Sequence, residues 1–395
     1  MSRTNKDEDI ERRRARARQK AAEAKERQGR DRTAKERQGK DRTVREKKAA
    51  IVRVRLLVIA VLLICLIALV LRAVSYFGGI SKIHLTDEGL THAEKYKDYV
   101  KVHGIDVSEF QDEINWKKVK SSEADFVLVR AGFRKGETGE LVEDADFKQN
   151  MKGANRAGIM TGAYFFSQAL NEEEAVEEAR YLIELVEPYD IEMPLAIDFE
   201  LMDGGRLKQK VDAGEMPAAS HYHDIVVAFC DTVEDAGYEA CVYANYDMLT
   251  NYMDSTILDD EEYIWAAQYG GSCDVSGDFL IWQCAEDAKI DGIEGNVDHD
   301  IWYIDPGKVY PTRAKGKKDA VSIGDCKVRF GKDSYRLVNH RAMPKVQVTC
   351  EGKKLRKGTN YEVSFVRNET EGTGYAIIRG IDNYRDWIAV PFTIE

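Results

Sequence analysis

The chain has 395 residues, with 58 Lys+Arg against 69 Asp+Glu, a net charge of −11 at neutral pH, and 44% apolar residues. That length leaves room for two or three domains around a sizeable core, and excludes a single small module. The charge is divided unevenly: residues 1–55 hold 21 Lys+Arg and 10 Asp+Glu, net +11, which leaves 37 and 59, net −22, for residues 56–395.

Residues 1–50 contain a ten-residue tandem repeat, Ala24 to Thr33 followed by Ala34 to Thr43, and almost no apolar side chains. Such a segment cannot bury a core, so a basic, disordered tail is expected. No aromatic residues are interleaved with its cations to stack on bases, so no nucleic acid is expected as partner. An anionic membrane surface suits it better.

Residues 51–77 centre on an uncharged apolar run, Leu56 to Leu71, flanked by Arg53, Arg55 and Arg72. With the residues up to Phe77, and with Arg72 able to snorkel, the run reaches the ~20 residues of a bilayer span. It is too long and too free of charge for an ordinary core helix, and it begins some fifty residues from the start with no clear cleavage site for a signal peptide. Cations before it and an acidic excess after it predict a single-pass protein of the cell membrane, N-terminus cytoplasmic and the large C-terminal part outside. Residues 78–100 read as a stalk with a short helix over Ala93 to Tyr99.

Residues 101–305 alternate strand-like and helix-like segments. Strands are expected at 102–107, 126–131, 161–166, 194–199, 240–246, 263–269, 279–284 and 297–303. Helices are expected over Phe147 to Ala157 before Gly158, Glu172 to Val186 behind an Asn171 cap, and His221 to Ala236 before Gly237. In the second helix Val176, Ala179, Leu182, Ile183 and Val186 form a stripe suited to packing on a sheet. Eight strands with helices mainly among the first five predict an α/β fold, an irregular TIM-like barrel. A doubly wound open sheet alternates in the same way, but no glycine-rich phosphate loop accompanies the strands.

After Pro306 the texture changes to short alternating runs at 325–330, 345–350, 361–367, 375–380 and 388–394, the pattern of a small all-β sandwich over 320–395. Of seven cysteines, Cys65 lies in the apolar run and six lie beyond it. They allow fifteen connectivities. The sequence-near pairs are Cys230 with Cys241, Cys273 with Cys284, and Cys326 with Cys350; buried thiols are the alternative. No tight Cys-x-x-Cys spacing supports a metal site, and no cofactor is expected.

The chemistry centres on Leu195 to Glu200, an apolar run ending in two acids one residue apart. On a strand Asp198 and Glu200 share a face, while Ile197 and Phe199 share the other. Like charges held so close disfavour joint ionisation, which suits acid-assisted glycosidic cleavage. The other strand ends of a barrel mouth would add Asp106 and Asp298, with Asp300 beyond it. Flat and polar groups recur there: Tyr164 and Phe166, Tyr243, Trp265 and Tyr269, and Trp282 with Gln283. Acids and rings converging on one mouth suit a polysaccharide groove, with rings against sugar faces and carboxylates on hydroxyls.

Several blocks resemble, in order, those of glycoside hydrolase family 25, the N-acetylmuramidase-type lysozymes. They are Gly104-Ile-Asp106-Val-Ser108-Glu-Phe-Gln111, Ile114-Asn-Trp116, Phe126 to Gly132, Asp146 to Asn150, Gly162-Ala-Tyr164-Phe-Phe166, Asp198-Phe-Glu200, Trp265 to Tyr269, Ile281-Trp-Gln283 and Gly292 to Asp298. The resemblance implies a barrel of five β/α units and three further strands, (β/α)5(β)3. It implies cleavage of the β-1,4 bond between N-acetylmuramic acid and N-acetylglucosamine in peptidoglycan, with net retention. It maps the general acid to Glu200 and the family's other acidic positions to Asp106, Asp198 and Asp298. Departures are Cys284-Ala285 after Trp-Gln, Asp300 where Asn is common, and a long 201–220 loop that could cover the groove. The C-terminal unit resembles an Ig-like repeat of clostridial-type surface proteins, through Gly358 to Phe365, Gly372-Thr-Gly374, Ile378 to Tyr384 and Phe392-Thr-Ile394. That likeness implies a spacer or wall-binding module. The competing class is a catalytically idle peptidoglycan-binding or scaffold protein.

Overall fold

The computed structural model describes residues 85–122, 124–215, 219–253, 263–312, 320–338 and 340–395, together with Lys20 and Lys25. The chain divides into two compact units, Met1–Ser81 and Lys82–Glu395. In the first, Lys20 and Lys25 are exposed. The span expected at 51–77, and the rest of the basic tail, lie outside the described residues. Among the described residues no helix is long and apolar enough to cross a membrane.

In the second unit eight strands close into a barrel: β1 Val100–Val107, β2 Phe126–Arg134, β4 Met160–Phe166, β5 Leu195–Asp198, β6 Ala240–Asn245, β7 Tyr263–Ala267, β8 Ile281–Ala288 and β9 Val297–Ile304. A short strand, β3 Leu141–Glu143, adds a hairpin to β2. Pairings from β1 through β8 are parallel, and β9 closes the barrel antiparallel to both β8 and β1. Helices α1 Trp116–Ser121, α2 Phe147–Ala157, α3 Glu172–Val186, α4 Arg206–Asp212 and α5 Ala219–Asp235 follow the first four barrel strands. After β6 the described residues make a wide turn, Met248–Tyr252.

Local chemistry explains these boundaries. α3 begins where the Asn171 side chain accepts from the Glu174 amide at 2.9 Å, with three glutamates in the positive first turn. α2 stops at Gly158, whose φ of 69° is open to glycine at little cost. The buried face of α3 runs through Ala175, Glu178, Ala179, Leu182 and Val186, which corrects the expected stripe. Val176 lies at its edge, because Glu178 turns inward to meet Arg134 at 2.7 Å.

Strand alternation builds two cores. Val102, Phe126, Leu128, Trp265 and Trp302 fill the barrel, and Gly104 makes room for Phe126, whose ring would lie 2.5 Å from an added Cβ. Ile105, Val127, Ile197 and Phe199 face outward against the helices. Around β1, β8 and β9, that outer role falls to the segment 85–99, which lies against the barrel and contains only one 3₁₀ turn, Glu94–Tyr96. Tyr96 stacks on Tyr303 with ring centres 4.1 Å apart. Asp87 meets His103 at 3.2 Å and His92 at 3.4 Å, and His103 meets His299 at 2.9 Å.

The C-terminal part is all β, with a main sheet built from Tyr361–Val366, Gly372–Gly380 and Trp387–Ile394 and a smaller one from Lys327–Phe330, Val346–Cys350 and Lys353–Lys354. Cys326 and Cys350 form a disulfide, while Cys230, Cys241, Cys273 and Cys284 are thiols. This part docks at the barrel floor, where the strands begin. Trp387 is fully buried, stacks on Tyr310 at 4.0 Å, packs edge-on against Trp302 and donates to the Glu192 carbonyl. Arg379 pairs with the Glu192 carboxylate at 3.0 Å.

Candidate active site

The opposite end of the barrel opens into a groove of about 570 Å³. It is lined by Asp106 from β1, Asp198 and Glu200 from the end of β5, and Asp298 from β9. Tyr164, Phe166, Tyr243, Trp265, Tyr269 and Gln283 line it as well. Ten of the eleven predicted site residues therefore meet in one cavity. Trp282 does not: next to inward-facing Gln283 its side chain must face outward, and it lies fully buried in the outer core, donating to the Gln268 carbonyl.

The floor is a polar relay. Tyr243 and Tyr269 both donate to Gln283 Oε1, at 2.9 and 3.1 Å. With its oxygen so occupied, Gln283 turns its amide nitrogen to Asp106 Oδ2 at 2.7 Å. Trp265 donates to Asp300 Oδ1 at 2.8 Å, and the Asp300 carboxyl is fully buried behind the groove. Asp198 Oδ1 has no hydrogen-bond partner among the described residues.

Five carboxyls in so small a volume cannot all ionise. Burial, then the charge of Asp300, holds Asp106 well above the usual carboxylate range. Burial and then Asp106 push Asp298 up to about 9. Asp198 is raised by burial and next by Glu200. Glu200 is raised by burial, against a hydrogen bond with Asn245 that favours its charged form. At neutral pH this cluster therefore retains protons, which is the state needed to protonate a leaving oxygen.

One cation offsets the acids. Arg130 donates to Asp144 at 2.7 Å and to Glu109 at 3.0 Å, with its guanidinium 4.8 Å from the centre of the Phe110 ring. Sequence reasoning missed the groove roles of Arg130, Glu109, Phe110, Phe133, Met202 and Glu286. For Arg130 a signal existed: a lone arginine inside the apolar run 126–131 needs a buried partner. The long loop after Glu200 holds α4, and Met202 from it forms part of the groove wall.

Residues 105–293 match the family model of glycosyl hydrolases family 25. The uncharacterized protein YegX of Escherichia coli K12 is 26% identical over 210 residues, 51% of this chain and 69% of its own length. Lysozyme M1 of Streptomyces globisporus is 40% identical over 67 residues, 17% of this chain and 21% of that one. Among solved structures, the modular autolysin LytC of Streptococcus pneumoniae, in complex with a synthetic peptidoglycan ligand, is 28% identical with a TM-score of 0.44. That match covers 51% of this chain and 47% of LytC, so the present chain spans less than half of that relative's length. Residues 105–293 are thus a family 25 glycosyl hydrolase domain, and the enzymatic part of this chain is a glycoside hydrolase.

Proposed function

We propose that this chain is a membrane-anchored peptidoglycan hydrolase that cleaves the β-1,4 bond between N-acetylmuramic acid and N-acetylglucosamine. The observation that carries the reading is the pair Asp198 and Glu200 at the end of β5, facing Asp106 and Asp298 across a groove lined with tyrosines and a tryptophan. Glu200 acts as general acid and protonates the leaving oxygen. Asp198, whose Oδ1 has no partner among the described residues, takes the substrate acetamido N–H. That bond favours its charged form, so charge settles on Asp198 and the proton on Glu200. Asp198 then stabilises the oxocarbenium-like state or orients the acetamido oxygen for attack on the anomeric carbon, and the configuration is retained. Asp106, held by Gln283, and Asp298 position the sugar and the acid pair.

The uncharged run Leu56 to Leu71 within 51–77, with cations before it, supports a single membrane span that leaves the barrel outside, facing the wall. The C-terminal sandwich is read as an Ig-like module that supports the barrel from its floor. The test is incubation of the full-length protein with purified peptidoglycan and identification of new reducing ends. Muramic acid ends are expected, and Glu200→Gln should lower the rate by about 10²- to 10⁴-fold. Asp198→Asn should leave a weak remnant. Intact glycan with the protein retained on it would instead favour a binding module. External protease applied to cells tests topology: cleavage of the N-terminal repeat from outside would overturn the orientation.

A further inference from the structure

Beside the catalytic groove lies a second pocket of about 380 Å³, between the β2–β3 hairpin and the turn after β5. The two cavities share Phe133, Phe166 and Met202, so a ligand in one can continue into the other. Their chemistry differs. The groove offers carboxylates, phenols and an amide, matched to sugar hydroxyls.

In the second pocket the buried polar side chains are already occupied. Arg134 donates to Glu178, to the Gly139 carbonyl and to the Glu174 carbonyl. Gln168 accepts from the Leu207 amide and donates to the Ser167 carbonyl. Lys135 pairs with Glu140 at 2.8 Å. Glu137, Thr138 and Asp203 stand at its exposed rim, and the space between them is faced by the apolar surface of Phe133, Phe166 and Met202, together with the side-chain-free turns at Gly136, Gly204 and Gly205. A sugar seated against the three apolar side chains would lose water from hydroxyls on that face and regain hydrogen bonds only at the rim. Short aliphatic groups would lose nothing comparable.

The pocket is also preformed. Arg206 grips Glu174 through two bonds, at 2.7 and 2.8 Å, and so pins the turn after β5 to α3. Gly205 packs so tightly that an added Cβ would lie 2.7 Å from Gln168 Oε1.

We propose that this pocket is a subsite for the peptide stem of peptidoglycan, seating its small aliphatic side chains while the glycan occupies the catalytic groove. The inference rests on the peptidoglycan reading above, and it makes the enzyme selective for glycan that still carries its peptides.

The test compares initial rates of reducing-end release by the full-length protein on purified peptidoglycan and on the same material stripped of peptides by an amidase. The wild type should cut the peptide-bearing glycan about tenfold faster, the discrimination available from seating one or two methyl groups. Thr138→Trp and Asp203→Trp each place a ring into the pocket from an exposed position on opposite walls. Both should lower the rate on peptide-bearing glycan to that on stripped glycan, and leave the latter within twofold. Equal wild-type rates on the two substrates, or an undiminished preference in both variants, would overturn the subsite and leave the hydrolase assignment standing. Loss of activity on both substrates in both variants, with unchanged melting temperature, would assign these turns to glycan binding and likewise overturn it. Absence of reducing ends from either substrate with the wild type would instead overturn the hydrolase reading.

Discussion

Replacing Asp298 with asparagine should stabilise the fold while impairing the enzyme. Burial and the adjacent Asp106 raise the Asp298 carboxyl to about 9, against about 3.9 for an unfolded aspartate. Above pH 3.9 the unfolded chain releases a proton that the folded chain keeps. The group therefore costs stability increasingly as pH rises towards 9, and costs almost nothing below 3.9. At pH 7, three units above the unfolded value, the penalty is roughly 4 kcal/mol at 1.36 kcal/mol per unit. Proton sharing with Asp106 and Asp300, and the part of Asp298 open to the groove, bring this to about 2 kcal/mol. For a unit spanning Lys82–Glu395, at about 2.1 cal/mol/K of unfolding entropy per residue, that corresponds to a rise in melting temperature of roughly 3 °C. Thermal melts of wild type and variant at pH 7 and pH 4.5 measure it, and the gain should shrink below about 1 kcal/mol at the lower pH. A variant that melts lower than wild type at pH 7, or gains equally at both pH values, would refute the idea of a destabilising buried acid cluster.

Asn245→Ala removes the hydrogen bond that favours charged Glu200, so the alkaline limb of the rate profile should move to higher pH, read from kcat/KM against pH. Trp387→Ala, at the fully buried joint between the C-terminal sheets and the barrel, should cost about 3–5 kcal/mol in urea unfolding. Its kcat/KM at low temperature should stay within twofold, because the groove lies at the other end of the barrel. Cys326→Ser opens a disulfide with a sequence separation of 24 and should cost about 3 kcal/mol, measured by denaturant unfolding, with the groove's activity unaffected.

Much of the barrel was legible because its signals are local. The cap at Asn171, the glycine at 158 and the period-two alternation of β1, β2 and β5 each act within a few residues. The same alternation placed Asp198 and Glu200 together in the groove. It also argued against Trp282, since adjacent strand residues cannot both face inward, yet the pairing of Trp with Gln suggested a binding role for both. Features set by distant partners were hidden. Val176 lost its place on the buried face of α3 because Glu178 finds Arg134 some forty residues away, and no periodicity contains that pairing. Segment 85–99 reads as polar, yet it is held by His103 and Tyr303 on two strands about two hundred residues apart. The six-residue helix α1, capped by Asn115, is too short for a hydrophobic stripe to announce it.

The docking of Trp387 bears on how such enzymes can be recombined. The family match ends at residue 293, before β9, although β9 closes the barrel and supplies Asp298 and Asp300. The inner residue Trp302 of that strand in turn lies beneath a tryptophan from the last strand of the chain. Catalytic segment and appendage thus share one aromatic joint across the domain border. A chimera that grafts another C-terminal module after residue 305 must supply its own aromatic lid for Trp302 in place of Tyr310 and Trp387, and its own cation for Glu192. Without them the graft would carry the groove intact and leave the barrel open at its floor.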